Sequence, residues 1–248
     1  MNTKENVIFI HNVFDRNKTL LKTIEYEKKE FLNSIFIITM HKEHDKHSLD
    51  HLLKKQNINA IILSGDLLGH KKGCLNSFII GLKYVLENQL KGTIIFSHDD
   101  VYLKKPQIFH KNLKILNESK NISFILKNTI WKGQIDLYSI ECIYLKNSLL
   151  KIIYDDLVEI NEENEIPKDP ITKSPSPELW LSNLFKSKEI SGIIHNVYEE
   201  DLIPIYKYNR ILEKALGYHH KNIGSRNWRK TYFINKAQIK SWIKWITD

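Results

Sequence analysis

The sequence predicts an α/β fold with a mostly parallel central sheet flanked by helices. Three observations predict it. Short β-branched runs alternate with helix-patterned stretches through the first hundred residues, the mark of successive βα units. The runs themselves, such as Thr93-Ile94-Ile95-Phe96, are apolar throughout, as in strands covered on both faces. After residue 104 the pattern changes, and Gln134 to Leu145 alternates in the way of a mixed or antiparallel edge.

The elements follow in order. Residues 6–14 read as the first strand, and 17–32 as a helix with Leu20, Leu21, Ile24 and Phe31 at helical spacing. A second strand covers 34–40. Residues 48–56 form a short helix opened by Ser48 as its cap, and 60–63 a third strand. A loop punctuated by Gly65, Gly69 and Gly73 leads to a helix over 74–88, and a fourth strand over 92–97 runs into His98-Asp99-Asp100. Beyond it, 108–117 is helical, 122–126 a strand and 148–154 a short helix. Pro167, Pro170, Pro175 and Pro177 impose an irregular loop, after which a helix resumes with Pro177 near its first position. The tail carries aromatic and basic residues, among them His219, His220, Arg226, Trp228, Arg229 and Lys230.

With 248 residues and 42% hydrophobic content, the chain is long enough for one substantial core. Its start is polar and no apolar run is long enough for a secretory signal or a membrane span. Cys74 and Cys142 offer neither a disulfide framework nor a zinc spacing, which suits a reducing cytoplasm. The net charge of +8 favours anionic partners: nucleotide phosphates, or peripheral contact with the inner face of an anionic membrane. It comes from dispersed lysines, and no basic stripe interleaved with aromatics precedes the tail, so no nucleic-acid partner is expected.

In open parallel sheets ligands bind beyond the carboxyl ends of the strands. That rule gathers His11-Asn12, Met40-His41, the loop holding Asp66 and Lys72, and His98-Asp99-Asp100 on one rim. Two adjacent carboxylates at a strand end repel, and make sense where a cation sits between them and a pyrophosphate. A turn in which the aspartates bond local backbone is the plainer alternative.

A strand ending in an acidic pair after three βα units resembles the nucleotide-binding half of GT-A glycosyltransferases, Rossmann-like in fold. The resemblance is to bacterial enzymes of the family 2 type, where a DXD-like motif ends the fourth strand. It implies Asp100 as metal ligand, with Asp99 beside it, for Mn²⁺ or Mg²⁺ on a nucleoside diphosphate sugar; His98 stands where the first acid of the motif is usual. Gly73 and Gly81 match the spacing of two family glycines, although Phe78-Ile79-Ile80 replaces the usual Ala-Arg-Asn. Ser176-Pro177-Glu178-Leu179-Trp180 looks like the start of the helix that carries the catalytic base of inverting members, giving Glu178 that role, with Asp169 and Asp136 as weaker candidates. The tail resembles the segment that closes over the donor, with His219 on the metal and Arg226 and Arg229 on the diphosphate; His195 competes with His219. Trp131 stands where an acceptor-side aromatic would.

These readings imply one GT-A-like domain over 1–248, comprising a nucleotide-sugar-binding half (6–103), an acceptor-side half (104–205) and a basic, aromatic, helical C-terminal segment (206–248). The expected function is metal-dependent transfer of a sugar from the nucleotide donor to a glycan, lipid-linked or protein acceptor, with inversion. The alternatives are a metal-dependent phosphohydrolase, since His-Asp pairs also occur on hydrolase helices, and a non-catalytic nucleic-acid-binding protein.

Overall fold

The structure is a computed structural model, and it describes residues 6–13, 17–40, 46–65, 70–99, 101–131, 134–159, 167–168, 176–195 and 213–220. The first half follows the expected order: β1 (Val7–Val13), α1 (Asn17–Glu30), β2 (Ser34–Met40), α2 (Lys46–Lys55), β3 (Ala60–Ser64), α3 (His70–Glu87) and β4 (Thr93–His98). The second half holds β5 (Val101–Leu103), α4 (Pro106–Glu118), β6 (Phe124–Trp131), β7 (Gln134–Tyr138), β8 (Cys142–Leu145), α5 (Leu149–Ile152), α6 (Tyr154–Glu159), α7 (Pro177–Ser187), β9 (Gly192–His195) and β10 (Tyr218–His220).

These strands build an eight-stranded sheet in the order β3-β2-β1-β4-β8-β6-β7, with β9 also paired to β6. The pairs β1 with β2, β1 with β4, β2 with β3 and β6 with β9 are parallel. Strand β8 is antiparallel to both β4 and β6, and β7 is antiparallel to β6. Thus β1, β2, β3, β4, β6 and β9 share one direction, and the sheet is mostly parallel.

Helices cover both faces. On one side α1, α2 and α4 bury Leu20, Leu21, Ile24, Leu49, Leu53, Phe109, Leu113 and Leu116 against Phe9, Phe36, Ile38, Ile95 and Tyr144. Phe9 stands 5.4 Å from Phe36 and 5.9 Å from Phe109 between ring centroids, and Phe31 is 4.7 Å from Phe109. Each such fully buried ring contributes about 1.5–3 kcal/mol. On the other side α3 presents Cys74, Leu75, Phe78, Ile79, Leu82 and Val85 at spacings of one, three and four residues, forming one apolar stripe. Helix α7 adds Leu181, Leu184 and Phe185 to that second core.

Several elements differ from expectation for physical reasons. Helix α2 begins at Lys46, so Ser48 lies inside its first turn rather than capping it. Helix α3 begins at His70, and Gly73 is a buried helical position instead of a loop residue. The alternating run at 134–145 divides into β7 and β8, and the residues between them are tied to β6 and β4 by the Ser139 N–H donating to the Lys127 carbonyl at 2.9 Å and the His98 N–H donating to the Glu141 carbonyl at 3.1 Å. Residues 148–154 split between α5 and the start of α6.

The described part of the C-terminal segment is tied to β5, α4 and β8. Strand β10 pairs antiparallel with β5, with Tyr218 opposite Leu103, His219 opposite Tyr102 and His220 opposite Val101. Before it, the Gly217 carbonyl accepts the N–H groups of Lys104 at 2.9 Å and Lys105 at 2.8 Å. The Asn112 side-chain amide donates to the Ala215 carbonyl at 2.8 Å, and the Tyr144 hydroxyl donates to the Leu216 carbonyl. Glu213 pairs with Lys104 at 2.8 Å and Lys105 at 3.6 Å.

Candidate functional site

Strands β2 and β3 continue the sheet on one side of β1, whereas β4 lies on the other. The chain therefore reverses its direction of growth between β1 and β4, and ligands of open α/β sheets bind outside the carboxyl ends of the strands at such a point. At that seam Asn12 is level with His98, and the Asp99 N–H donates to the Asn12 carbonyl at 2.9 Å. On the neighbouring strand ends the Gly65 N–H donates to the Met40 carbonyl at 2.9 Å. The expected gathering of strand ends on one rim is thus observed for Asn12, Met40, Gly65, His98 and Asp99.

Asp99 is buried, with 6% of its surface exposed, and its backbone is fixed by the bond to Asn12. His98 turns toward α3: its Nε2 lies 2.9 Å from Cys74 Sγ, and its ring meets Phe96 edge-on at 5.9 Å. Its N–H donates to the Glu141 carbonyl at 3.1 Å. The histidine in place of an acid therefore joins β4 to the start of α3. Cys74 as its partner was not foreseen; its only signal was its place in the first turns of the helix facing that strand.

His11 is placed differently from expectation. Its ring is fully buried one row below the rim, stacked near Phe9 and Phe36. Nδ1 lies 3.0 Å from Ser97 Oγ and Nε2 2.9 Å from Glu27 Oε2, while the Tyr218 hydroxyl donates to Glu27 Oε1 at 3.1 Å. His11 thus ties α1, β1 and β4 together from within the core, with β10 joined through Tyr218 and Glu27. Burial raises the Tyr218 phenol well above its ordinary value, and Glu27, Tyr144 and Cys142 add to the rise.

The rim continues into the second half. Glu141 lies beside His98, immediately before β8, with 31% of its side chain exposed, and its Oε2 is 3.2 Å from Lys127 Nζ. Lys127, on β6, is only 1% exposed. The register sets Lys127 level with His195 at the end of β9, where burial and then Lys111 lower the imidazole's pKa. A lone lysine in the apolar run Phe124-Ile125-Leu126-Lys127 was the sequence signal for this pair.

Glu178 lies in the first turn of α7. The Ser176 hydroxyl accepts the Leu179 N–H at 3.2 Å as the helix cap and stands 3.4 Å from Glu178 Oε2. Ser182 Oγ donates to the Glu178 carbonyl at 2.8 Å and accepts the Tyr138 N–H at 2.7 Å, fixing the helix against β7. Because a short turn joins α7 to β9, the two run in opposite directions, and the α7 N-terminus lies toward the rim where β9 ends.

Asp66, Asp100, Asp169, Arg226 and Arg229 lie outside the described residues, as do the side chains of Lys72, Asp136, Trp131 and His219. Among the described residues no group of three or more His, Cys, Asp or Glu is placed to hold a metal ion. The adjacent carboxylates of Asp99 and Asp100 are nonetheless hard oxygen donors, the type that suits Mg²⁺ or Mn²⁺. No helix among the described residues is long and apolar enough to cross a membrane.

No protein-family model matches the sequence, and no curated protein matches it. Among solved structures the chain is similar to a glycosyltransferase involved in glycosylation of the major capsid of PBCV-1, at 14% identity over 91% of this chain and 98% of that one, with a TM-score of 0.48. It is also similar to 4-diphosphocytidyl-2C-methyl-D-erythritol synthase, at 7% identity over 78% and 89% of the two chains, TM-score 0.47. A third is glucosyl-3-phosphoglycerate synthase from Mycobacterium tuberculosis in complex with Mn²⁺, UDP and phosphoglyceric acid, at 10% identity over 78% and 68%, TM-score 0.46.

Proposed function

We propose that the chain is a glycosyltransferase that moves a sugar from a nucleoside diphosphate sugar to a glycan, lipid-linked or protein acceptor. The observation that supports this most is the seam between β1 and β4, where the Asn12 carbonyl holds the Asp99 backbone at the mouth of the crevice. A nucleotide there lies over the β1–β3 half, near Asn12, Asp66 and Lys72, with its diphosphate toward Asp99 and Asp100. Those two carboxylates are the residues that would hold Mg²⁺ or Mn²⁺, which when bound would neutralise charge on the departing diphosphate. His220 is level with Val101, so β10 ends beside the strand that follows the acidic pair. The pairing of β10 with β5 supports His219, Arg226 and Arg229 as ligands of the same anionic group. Glu178, at the rim end of α7, is the proposed base that takes the proton of the acceptor hydroxyl as its oxygen attacks the anomeric carbon and the bond to the diphosphate breaks, a single displacement that inverts the centre. The hydrolase alternative requires the His-Asp pair on a helix, whereas His98 ends a strand and Asp99 begins the following turn.

The test is calorimetric titration of the full chain with UDP, GDP and CMP, with and without Mn²⁺. One nucleotide should bind in a Mn²⁺-dependent manner, and Asp100→Ala should weaken it more than tenfold. Binding indifferent to Mn²⁺ and to Asp100→Ala would overturn the assigned site.

A further inference from the structure

We infer that Glu141 contacts the sugar of the donor: its carboxylate, held by the buried ammonium of Lys127, accepts hydrogen bonds from the sugar's hydroxyls. This rests on the glycosyltransferase reading above and extends it to a residue on the other side of the acidic turn.

The placement of Lys127 is the first observation. Its side chain is 1% exposed, on a strand whose preceding residues Phe124, Ile125 and Leu126 are 0–1% exposed. Taking an ammonium out of water costs several kcal/mol unless a well-placed partner offsets it. The structure sets Glu141 Oε2 at 3.2 Å from Nζ. Such a pair contributes little net stability compared with an apolar pair of the same volume, so its value lies in what it positions.

What it positions is a carboxylate at the rim. The Glu141 backbone is fixed by His98, whose N–H donates to its carbonyl at 3.1 Å, and its side chain keeps 31% of its surface exposed. An ionised carboxylate is an acceptor on both oxygens, and this one reaches the surface while ion-paired to Lys127. Sugar hydroxyls are the complementary donors, and a hydrogen bond to a charged acceptor is worth more than a neutral one.

The order of strands then identifies the ligand group. With the nucleotide over β1–β3 and the diphosphate at the end of β4, the next strand across the sheet is β8, and Glu141 immediately precedes it. The group attached to the far phosphate therefore meets Glu141 and, beyond it, the end of β6.

The experiment compares each bare nucleotide with its sugar conjugate in the presence of Mn²⁺: UDP with UDP-glucose and with UDP-N-acetylglucosamine, GDP with GDP-mannose. Calorimetry gives, for each pair, the gain in affinity that the sugar adds. In Glu141→Gln that gain should fall by roughly 10- to 100-fold for the preferred donor, while bare-nucleotide affinity stays within about twofold. The double variant Lys127→Met/Glu141→Gln removes the buried charge together with its partner, and so separates the sugar contact from folding. It should recover the melting temperature lost in Glu141→Gln without recovering the gain from the sugar. An unchanged gain in Glu141→Gln, a gain restored in the double variant, or no gain for any pair in the wild type would overturn the inference while leaving nucleotide binding intact. Absence of Mn²⁺-dependent nucleotide binding in the wild type would instead overturn the parent reading.

Discussion

Tyr218→Phe removes one oxygen from the middle of the molecule and leaves the ring in place. The phenol donates to Glu27 Oε1 at 3.1 Å, and both side chains are fully buried. The ring packs 5.9 Å from Phe109 and 6.4 Å from Tyr144, and a phenyl group keeps those contacts. The change therefore isolates one buried hydrogen bond to a carboxyl group, worth about 1.5–3 kcal/mol. For a chain of this size 1 kcal/mol corresponds to about 2–4 °C, so a loss near 2 kcal/mol lowers the melting temperature by about 4–8 °C. Urea denaturation measures the free energy, and hydrogen exchange at Val101, Tyr102 and Leu103 reports whether β10 loosens from β5. Those amides should exchange faster in the variant. A stability change below about 0.5 kcal/mol with unaltered exchange would refute the role given to the Glu27–Tyr218 contact in holding the C-terminal strand beside the acidic turn.

Three further outcomes are expected. Gly217 has a φ of +79°, and a Cβ there would lie 2.7 Å from the Lys105 carbonyl oxygen, so Gly217→Ala should destabilise the fold by more than about 1 kcal/mol in urea titration. Glu178→Gln should lower kcat by roughly 10²- to 10⁴-fold in a transfer assay while calorimetric nucleotide affinity holds. The third concerns pH. His195 resists its proton in the fold because of burial and Lys111, so the unfolded chain binds more protons once pH falls through about 6.5. Stability should therefore decline as pH drops below that value, and His195→Gln should flatten the decline in denaturation curves taken between about pH 7 and 5.

The first half of the fold was legible because its strands are apolar enough to read without their neighbours. All seven positions of β1 are buried, as are Thr93 to Ser97 in β4, and the helices between them carry apolar stripes at regular spacing. The later elements depend on partners far away in sequence. Strand β10 is three residues, Tyr218-His219-His220, with no pattern of its own, and exists because β5 offers it an edge. Strand β9 is four residues beside β6. The sequence predicts a strand over 122–126, yet β6 runs from Phe124 through Lys127 to Trp131, with Glu141 ion-paired to the ammonium. The same dependence shaped the site. The acidic pair and the crevice could be anticipated from the order of βα units, but His11 could not be separated from Asn12. Helices cover both faces of the sheet, so alternation alone does not separate the two, and the partners Glu27 and Ser97 are what hold the His11 ring within the core on the α1 face.

The central claim is that a metal-bound nucleoside diphosphate lies at the carboxyl ends of β1 and β4. Paramagnetic broadening by Mn²⁺ with the nucleotide that binds best, read in amide NMR spectra, locates the ion directly. The signals of Asn12, His98, Asp99 and Glu141 should vanish on addition of Mn²⁺ and nucleotide, while those of Val7, Ser34 and Ser123 at the opposite ends of the strands persist. Loss of the second group with survival of the first, or no selective loss at all, would contradict it.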